Sequence, residues 1–249
     1  MTAHAFPDER SSPERARLLV VVAVPAEAEA VLRGLAGTAR PLPVPGGELH
    51  RAEHSSGVTV DVLAGGVGPA AAASAASAAL GARRYGLAVS AGIGGGFAPH
   101  APVGATVVAD AIVAADLGAE TPEGFADVTE LGFGTVRHTP PAAAVARAAE
   151  ALGAVTGTVL TVSTVTGGAD RAAALTARHP RAVAEAMEGF GVAEAAARHG
   201  VPAFELRTVS NPVGPRDRAA WRIGEALATL ERAFAELPYP ELLKEAGRG

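Results

Sequence analysis

The run Leu18-Leu19-Val20-Val21-Val22-Ala23-Val24 is apolar without a break, and Pro25-Ala26-Glu27-Ala28-Glu29 follows it directly. A strand with one wet face alternates apolar and polar residues, so a continuous run marks a strand buried on both faces. Outward from this unit the pattern repeats. Apolar runs at 58–64, 86–91, 105–113, 157–163, 182–187 and 203–209 alternate with helix-compatible, alanine-rich stretches at 26–36, 69–83, 141–152, 169–178, 189–199 and 216–236. The alternation predicts an α/β fold, with a mainly parallel sheet and helices on both faces. Residues 114–140 are the longest irregular stretch, with Pro122, Gly124, Gly132, Gly134 and the pair Pro140-Pro141. A connection that long is expected to be functional or mobile. Residues 1–16 read as a disordered leader, and 17–249 as one domain.

Composition narrows the function classes. The chain has 249 residues, 49% hydrophobic and 19% charged, which excludes a disordered protein. Net charge is −5 without a basic stripe, so a nucleic-acid partner is not expected. The absence of cysteine removes thiol nucleophiles, disulfides and thiolate metal sites, and fits a cytoplasmic protein. Arg10, Arg15 and Arg17 before the first apolar run resemble a signal peptide, but Asp8, Glu9 and Glu14 spoil the charge pattern. No apolar run approaches the roughly 18 residues of a membrane span, so no membrane partner is expected.

Five places could carry chemistry. Gly65-Gly66-Val67-Gly68-Pro69 links a strand to a helix. It is either a tight turn or a place where a ligand approaches backbone N–H donors. Gly92-Ile93-Gly94-Gly95-Gly96 closes another strand, and such strand ends are where α/β sheets bind ligands. Packing alone is not expected to require four glycines there; a flexible loop is the plain alternative. Met187-Glu188-Gly189 puts a carboxylate at a strand–helix junction, where it is a helix-start acid or a partner for sugar hydroxyls. Ser210-Asn211-Pro212 ends the last strand with an amide that can both donate and accept, or that simply turns the chain. Glu27 and Glu29 follow the first strand as helix-start acids or as a general base. The seven histidines lack ligand spacing, and Lys244, the single lysine, is far from any phosphate loop. No metal and no cofactor is expected.

Taken in order, these features resemble the nucleoside phosphorylase/nucleosidase superfamily from about Leu18 to Leu237. The likeness rests on the strand–Glu start at 18–29, Gly65–Gly68, the glycine run at 90–96, Val107-Val108-Ala109-Asp110, Met187-Glu188-Gly189 and Arg207-Thr208-Val209-Ser210-Asn211. The Met-Glu pair together with the Ser-Asn strand end is the specific part. The resemblance implies a single α/β domain around a central twisted mixed sheet flanked by helices, assembled as a homodimer or larger homo-oligomer. It implies a small-molecule purine nucleoside as substrate. It assigns Glu27, Glu188 and Asn211 to catalysis, and Met187, Glu188, Ser210, Gly92, Gly94, Gly95, Thr166 and Gly167 to substrate binding.

Two departures refine what the resemblance implies. Phosphorylases of the family hold phosphate with arginines near the early glycine loops, whereas Ala23–Glu29 and Val89–Phe97 contain neither Arg nor Lys. A bound phosphate would lack cationic partners there. Glu27 stands where the family's nucleosidases place the carboxylate that activates water. Adenine-releasing members carry Asp where this chain has Asn211, and Asn cannot protonate a leaving base. Its amide can pair with a 6-oxopurine, so the resemblance narrows to members that use water and release hypoxanthine. The stretch Ser210-Asn211-Pro212-Val213-Gly214 with Arg216-Asp217 and Trp221 agrees. Their substrate bears a carboxylate on its 5′ extension, for which Arg216, Arg218 and Arg137 are candidates.

Overall fold

The structure is a computed structural model and describes residues 17–248. The expected leader lies outside the described residues. The opening run forms β1 (Arg17–Val22), followed by α1 (Pro25–Leu35), the hairpin β2 (Arg40–Val44) and β3 (Gly47–Glu53), and β4 (Thr59–Ala64). Next come α2 (Pro69–Ala82), β5 (Leu87–Gly96), β6 (Thr106–Ala114) and the short strands β7 (Gly118–Thr121), β8 (Gly124–Asp127) and β9 (Arg137–His138). Then follow α3 (Ala142–Leu152), β10 (Val155–Thr161), α4 (Ala169–Arg178), β11 (Ala182–Ala186) and α5 (Gly189–Arg198). β12 (Ala203–Pro212), a 3-10 turn (Arg218–Ala220), α6 (Ile223–Glu236) and α7 (Tyr239–Ala246) complete the described chain.

The main sheet runs β11-β10-β6-β12-β5-β1-β4-β3-β2 and is mixed. β1 lies parallel between β4 and β5, which is why Leu18 to Val22 are all fully buried. Alternate side chains serve opposite layers. Leu18, Val20 and Val22 pack with Val31, Leu230 and Phe234 of α1 and α6, while Leu19 and Val21 pack with Ala72, Ala76 and Val192 of α2 and α5. At its other end the sheet curls until β11 pairs antiparallel with β5 at Glu185–Gly95 and Ala184–Gly96. Strands β5, β12, β6, β10 and β11 thus form a closed ring. β1, β4, β5 and β12 run parallel, so their carboxyl ends lie on one side of the sheet, while β11 meets β5 antiparallel and brings Glu188 to them from the other direction.

Small residues set how closely the layers approach. A Cβ on Gly34 would fall well inside contact distance of the Glu231 carbonyl oxygen, so α1 and α6 cross on the bare glycine backbone. Gly34→Ala is expected to cost about 1–3 kcal/mol by overpacking. Thermal unfolding reads this as a fall in Tm of about 2–4 °C per kcal/mol. An unchanged Tm would mean the two helices can part without loss.

Four sequence readings are corrected. Residues 92–96 are not a loop but the second half of β5, paired with β12 and β11. The β2–β3 hairpin was not among the expected strands, and β2 carries Pro41 and Pro43. Prolines are tolerated there because β2 is an edge strand. The irregular stretch contains a two-stranded hairpin, β7–β8. The last long helix starts at Ile223, not 216; Asp217 instead caps the 3-10 turn, accepting from the Ala219 N–H at 3.1 Å.

Candidate active site

Glu27 lies in the first turn of α1 and is 3% exposed. Its Oε2 accepts from the N–H groups of Ala23 (2.9 Å) and Val24 (3.2 Å), which closes the helix start. Its Oε1 accepts from the Ile93 N–H of β5 at 2.9 Å. Burial pushes the carboxyl above its ordinary value; the Ile93 N–H and the positive charge of Arg207 pull it partly back. A carboxylate so tuned is a stronger base than an exposed one. Glu29 points to the exposed face of α1.

Gly92 has a φ of +146°, and a Cβ there would sit 2.5 Å from Glu27 Oε1 and 3.1 Å from Arg207 Nη1. Its glycine is required by the site itself. Gly94 and Gly95 are required by packing, contrary to expectation: their Cβ atoms would press on the Glu185 carbonyl oxygen (2.8 Å) and on Val213 (2.9 Å). The bend that closes the ring needs these bare positions.

Glu188 stands between β11 and α5, buried, with Met187 half-buried beside it. Its Oε1 accepts from the Gly68 N–H (3.1 Å), and its Oε2 from Arg207 Nη1 (3.3 Å) and the Met187 N–H (3.3 Å). The glycine turn before α2 therefore aims one donor at a site carboxylate.

Ser210 and Asn211 finish β12. The Ser210 hydroxyl lies 2.8 Å from Asn211 Oδ1 and 3.2 Å from the Gly94 carbonyl oxygen. Asn211 Nδ2 donates to the Pro212 carbonyl oxygen at 3.1 Å, which leaves its second N–H uncommitted. Thr166 is buried, and both its N–H (2.8 Å) and its hydroxyl donate to Glu185; Gly167 beside it is exposed. Thr166 thus pins the 163–168 loop to β11. Arg216 and Arg218 flank Trp221 at 5.3 and 5.7 Å from its ring centroid, in the segment that follows Asn211. Arg137 lies on β9, paired with β6.

Sequence reasoning quoted Arg207 as part of a motif but gave it no role in the site. The residue is fully buried at the centre of the site, and it donates from Nε to Glu205 (2.9 Å) and from Nη2 to the Ser90 hydroxyl (2.8 Å). The available signal was an Arg two residues after a Glu in an otherwise apolar run, which places both on one strand face. One guanidinium there faces Glu27, Glu188 and Glu205. Three carboxyl groups share this one cation. Among the described residues, no group of three or more His, Asp or Glu side chains is placed to hold a metal ion.

The chain matches the phosphorylase superfamily over residues 17–237. It is 64% identical to the futalosine hydrolase of Streptomyces coelicolor over 225 residues, covering 88% of this chain and 94% of that one. It is 48% identical to the futalosine hydrolase of Acidothermus cellulolyticus over 224 residues, 88% of this chain and 89% of that one. Among solved structures, a futalosine hydrolase mutant of Helicobacter pylori superposes with a TM-score of 0.78 at 17% identity, over 89% of this chain and 98% of that one. The 5′-methylthioadenosine/S-adenosylhomocysteine nucleosidase of Colwellia psychrerythraea in complex with adenine gives 0.77 at 23% identity, over 94% and 97%.

Proposed function

The chain belongs to the phosphorylase superfamily, and from that premise we propose that it cleaves the N-glycosidic bond of futalosine with water and releases hypoxanthine. This is the hypoxanthine-releasing step of the futalosine route to menaquinone. The observation that carries the choice of water is the charge balance at Arg207. A guanidinium already held by Glu188, Glu205 and Ser90 has little left for a phosphate.

The residues divide the work. As the glycosidic bond loosens, the ribose gains positive charge, and Glu188 beside it favours that charge while accepting from the sugar hydroxyls. Glu27 takes a proton from the attacking water. Its two bonds to the chain around α1 and its bond to the Ile93 N–H fix the carboxylate for that task. Asn211 presents its uncommitted N–H to the N7/O6 acceptor edge of the leaving hypoxanthine, because its own oxygen is already engaged by Ser210. Met187 packs on the ribose, and Gly92, Gly94 and Gly95 line the floor of β5. For the 5′ carboxylate the candidates are Arg216 and Arg218 beside Trp221 and Arg137 on β9. Zero cysteines fit a cytoplasmic enzyme. An apolar groove lined by Pro69, Ala70, Ala73, Leu117 and Phe190 supports assembly into a homodimer or larger homo-oligomer.

The test incubates the pure protein with futalosine, inosine and methylthioadenosine, with and without phosphate. Hypoxanthine release from futalosine at a phosphate-independent rate is expected; adenine release, or a rate that rises with phosphate, would overturn the reading. Base choice has its own test. Adenine offers an amino group where hypoxanthine offers an oxygen, so the Asn211 donor would face a donor. An unpaired buried polar group costs about 1–3 kcal/mol. Asn211→Asp is therefore expected to lower kcat/KM for the 6-oxo substrate relative to its 6-amino analogue by about tenfold or more. An unchanged ratio would remove Asn211 from base selection.

A further inference from the structure

Three carboxylates surround Arg207. Glu27 and Glu188 have tasks in the reaction, and Glu205 does not. Glu205 lies on β12 two residues before Arg207, on the same strand face, and is fully buried. Its Oε1 accepts from Arg207 Nε at 2.9 Å, while its Oε2 is buried without a partner. Room for it exists only because residue 189 is glycine: a Cβ there would overlap both carboxylate oxygens. An unpartnered buried carboxylate oxygen is costly, and an apolar side chain at 205 would avoid the cost.

The groups facing it are few. Glu205 meets Arg207 on its own strand and Glu188 from the junction of β11 and α5. Arg207 meets Ser90 of β5, Glu188, and Glu27 of α1. Glu27 meets Arg207 and the N–H groups of Ile93, Val24 and Ala23. The charge on Arg207 draws protons away from Glu27, and any group that offsets this charge keeps Glu27 basic.

Resting on the reading of Glu27 as the base, we propose that Glu205 is a positioning residue for hydrolysis. It grips Arg207 by the Nε edge and offsets its charge, so that Nη1 and Nη2 aim at Glu188 and Ser90 while Glu27 stays basic. Gly189 leaves the space for this carboxylate, since no side chain fits there beside it.

Glu205→Gln and Glu205→Asp test this, with hypoxanthine release from futalosine measured across pH and thermal unfolding alongside. Gln keeps the shape and loses the charge. Its kcat is expected at about a tenth of wild type, a part of what a general base supplies, with KM within about twofold. The acid limb of kcat/KM should move to lower pH, because an unopposed Arg207 lowers the pKa of Glu27. Asp keeps the charge and loses reach, so its acid limb should stay at the wild-type position with an intermediate kcat. A Gln variant with wild-type kcat, or with an acid limb that stays or moves up, overturns the proposal. A loss confined to Tm and KM does the same, since that marks a structural role alone. If the Gln variant does not fold, the Asp variant decides: wild-type kcat overturns the proposal, and a reduced kcat with an unmoved limb supports it. A wild type that releases no hypoxanthine fails the parent reading and this one with it; a working wild type with indifferent Glu205 variants fails this one alone.

Discussion

Glu27→Gln is expected to lower kcat by about 10²–10⁴-fold, the span a general base supplies, while KM changes little. The side chain is buried and fixed by three backbone N–H groups, so it meets water in one geometry. Its carboxyl is held above the ordinary 4.5 by burial. The active form is the anion, so the rate should fall as pH drops through that raised value. The acid limb should therefore lie above the usual glutamate range, and in Glu27→Gln it should vanish. Glu29→Gln, two residues on and exposed, is the internal control and should leave both rate and profile as in wild type. Greater loss from Glu29→Gln would reverse the assignment.

Glu188→Gln is expected to cost about 10²–10³-fold in kcat/KM, the scale of removing one preorganised electrostatic partner of a transition state. The reason lies in what the carboxylate is held by. Gly68 and Met187 donate backbone N–H groups to it, and Arg207 donates from the other side. An amide there turns an NH₂ toward one of these donors and loses the charge that meets the ribose cation. Both kcat and KM should suffer, because the sugar hydroxyls bind before and during bond cleavage. Steady-state kinetics on a variant with unchanged far-UV circular dichroism checks this, and near-normal turnover in a folded protein would sink the ribose role.

The fold was legible where burial is uniform. The run from Leu18 read as an interior strand and forms one as far as Val22, two residues short of the expected end at Val24, and the alternation behind it placed most of the sheet and helices. What escaped were elements whose local sequence argues against them. β2 carries two prolines, and β7 and β8 are four residues each, too short to show a period. The glycine run at 92–96 was misjudged because packing was read from side chains alone. Its reason is crowding by the Glu185 and Ala101 carbonyl oxygens and by the Val213 side chain, which sequence spacing does not reveal. At the site, Glu27, Glu188 and Asn211 stood at strand ends, where pattern points. Arg207 and Glu205 sit inside a strand that reads as core. Their spacing puts them on one strand face, but their place at the site shows only once β12 is laid beside β5 and the Glu188 junction.

The ring of β5, β12, β6, β10 and β11 has a consequence for association. A strand edge offers a row of unmet N–H and C=O groups on which a second chain can polymerise. Closing β11 onto β5 consumes that row at the catalytic end of the sheet. At the opposite end the terminal strand is β2, where Pro41 and Pro43 withhold two donors from any visiting strand. The sheet is thus sealed at one side and blunted at the other. Neither of these two ends is therefore a template on which a further strand can readily add, which guards the main sheet against the route to fibrous aggregation.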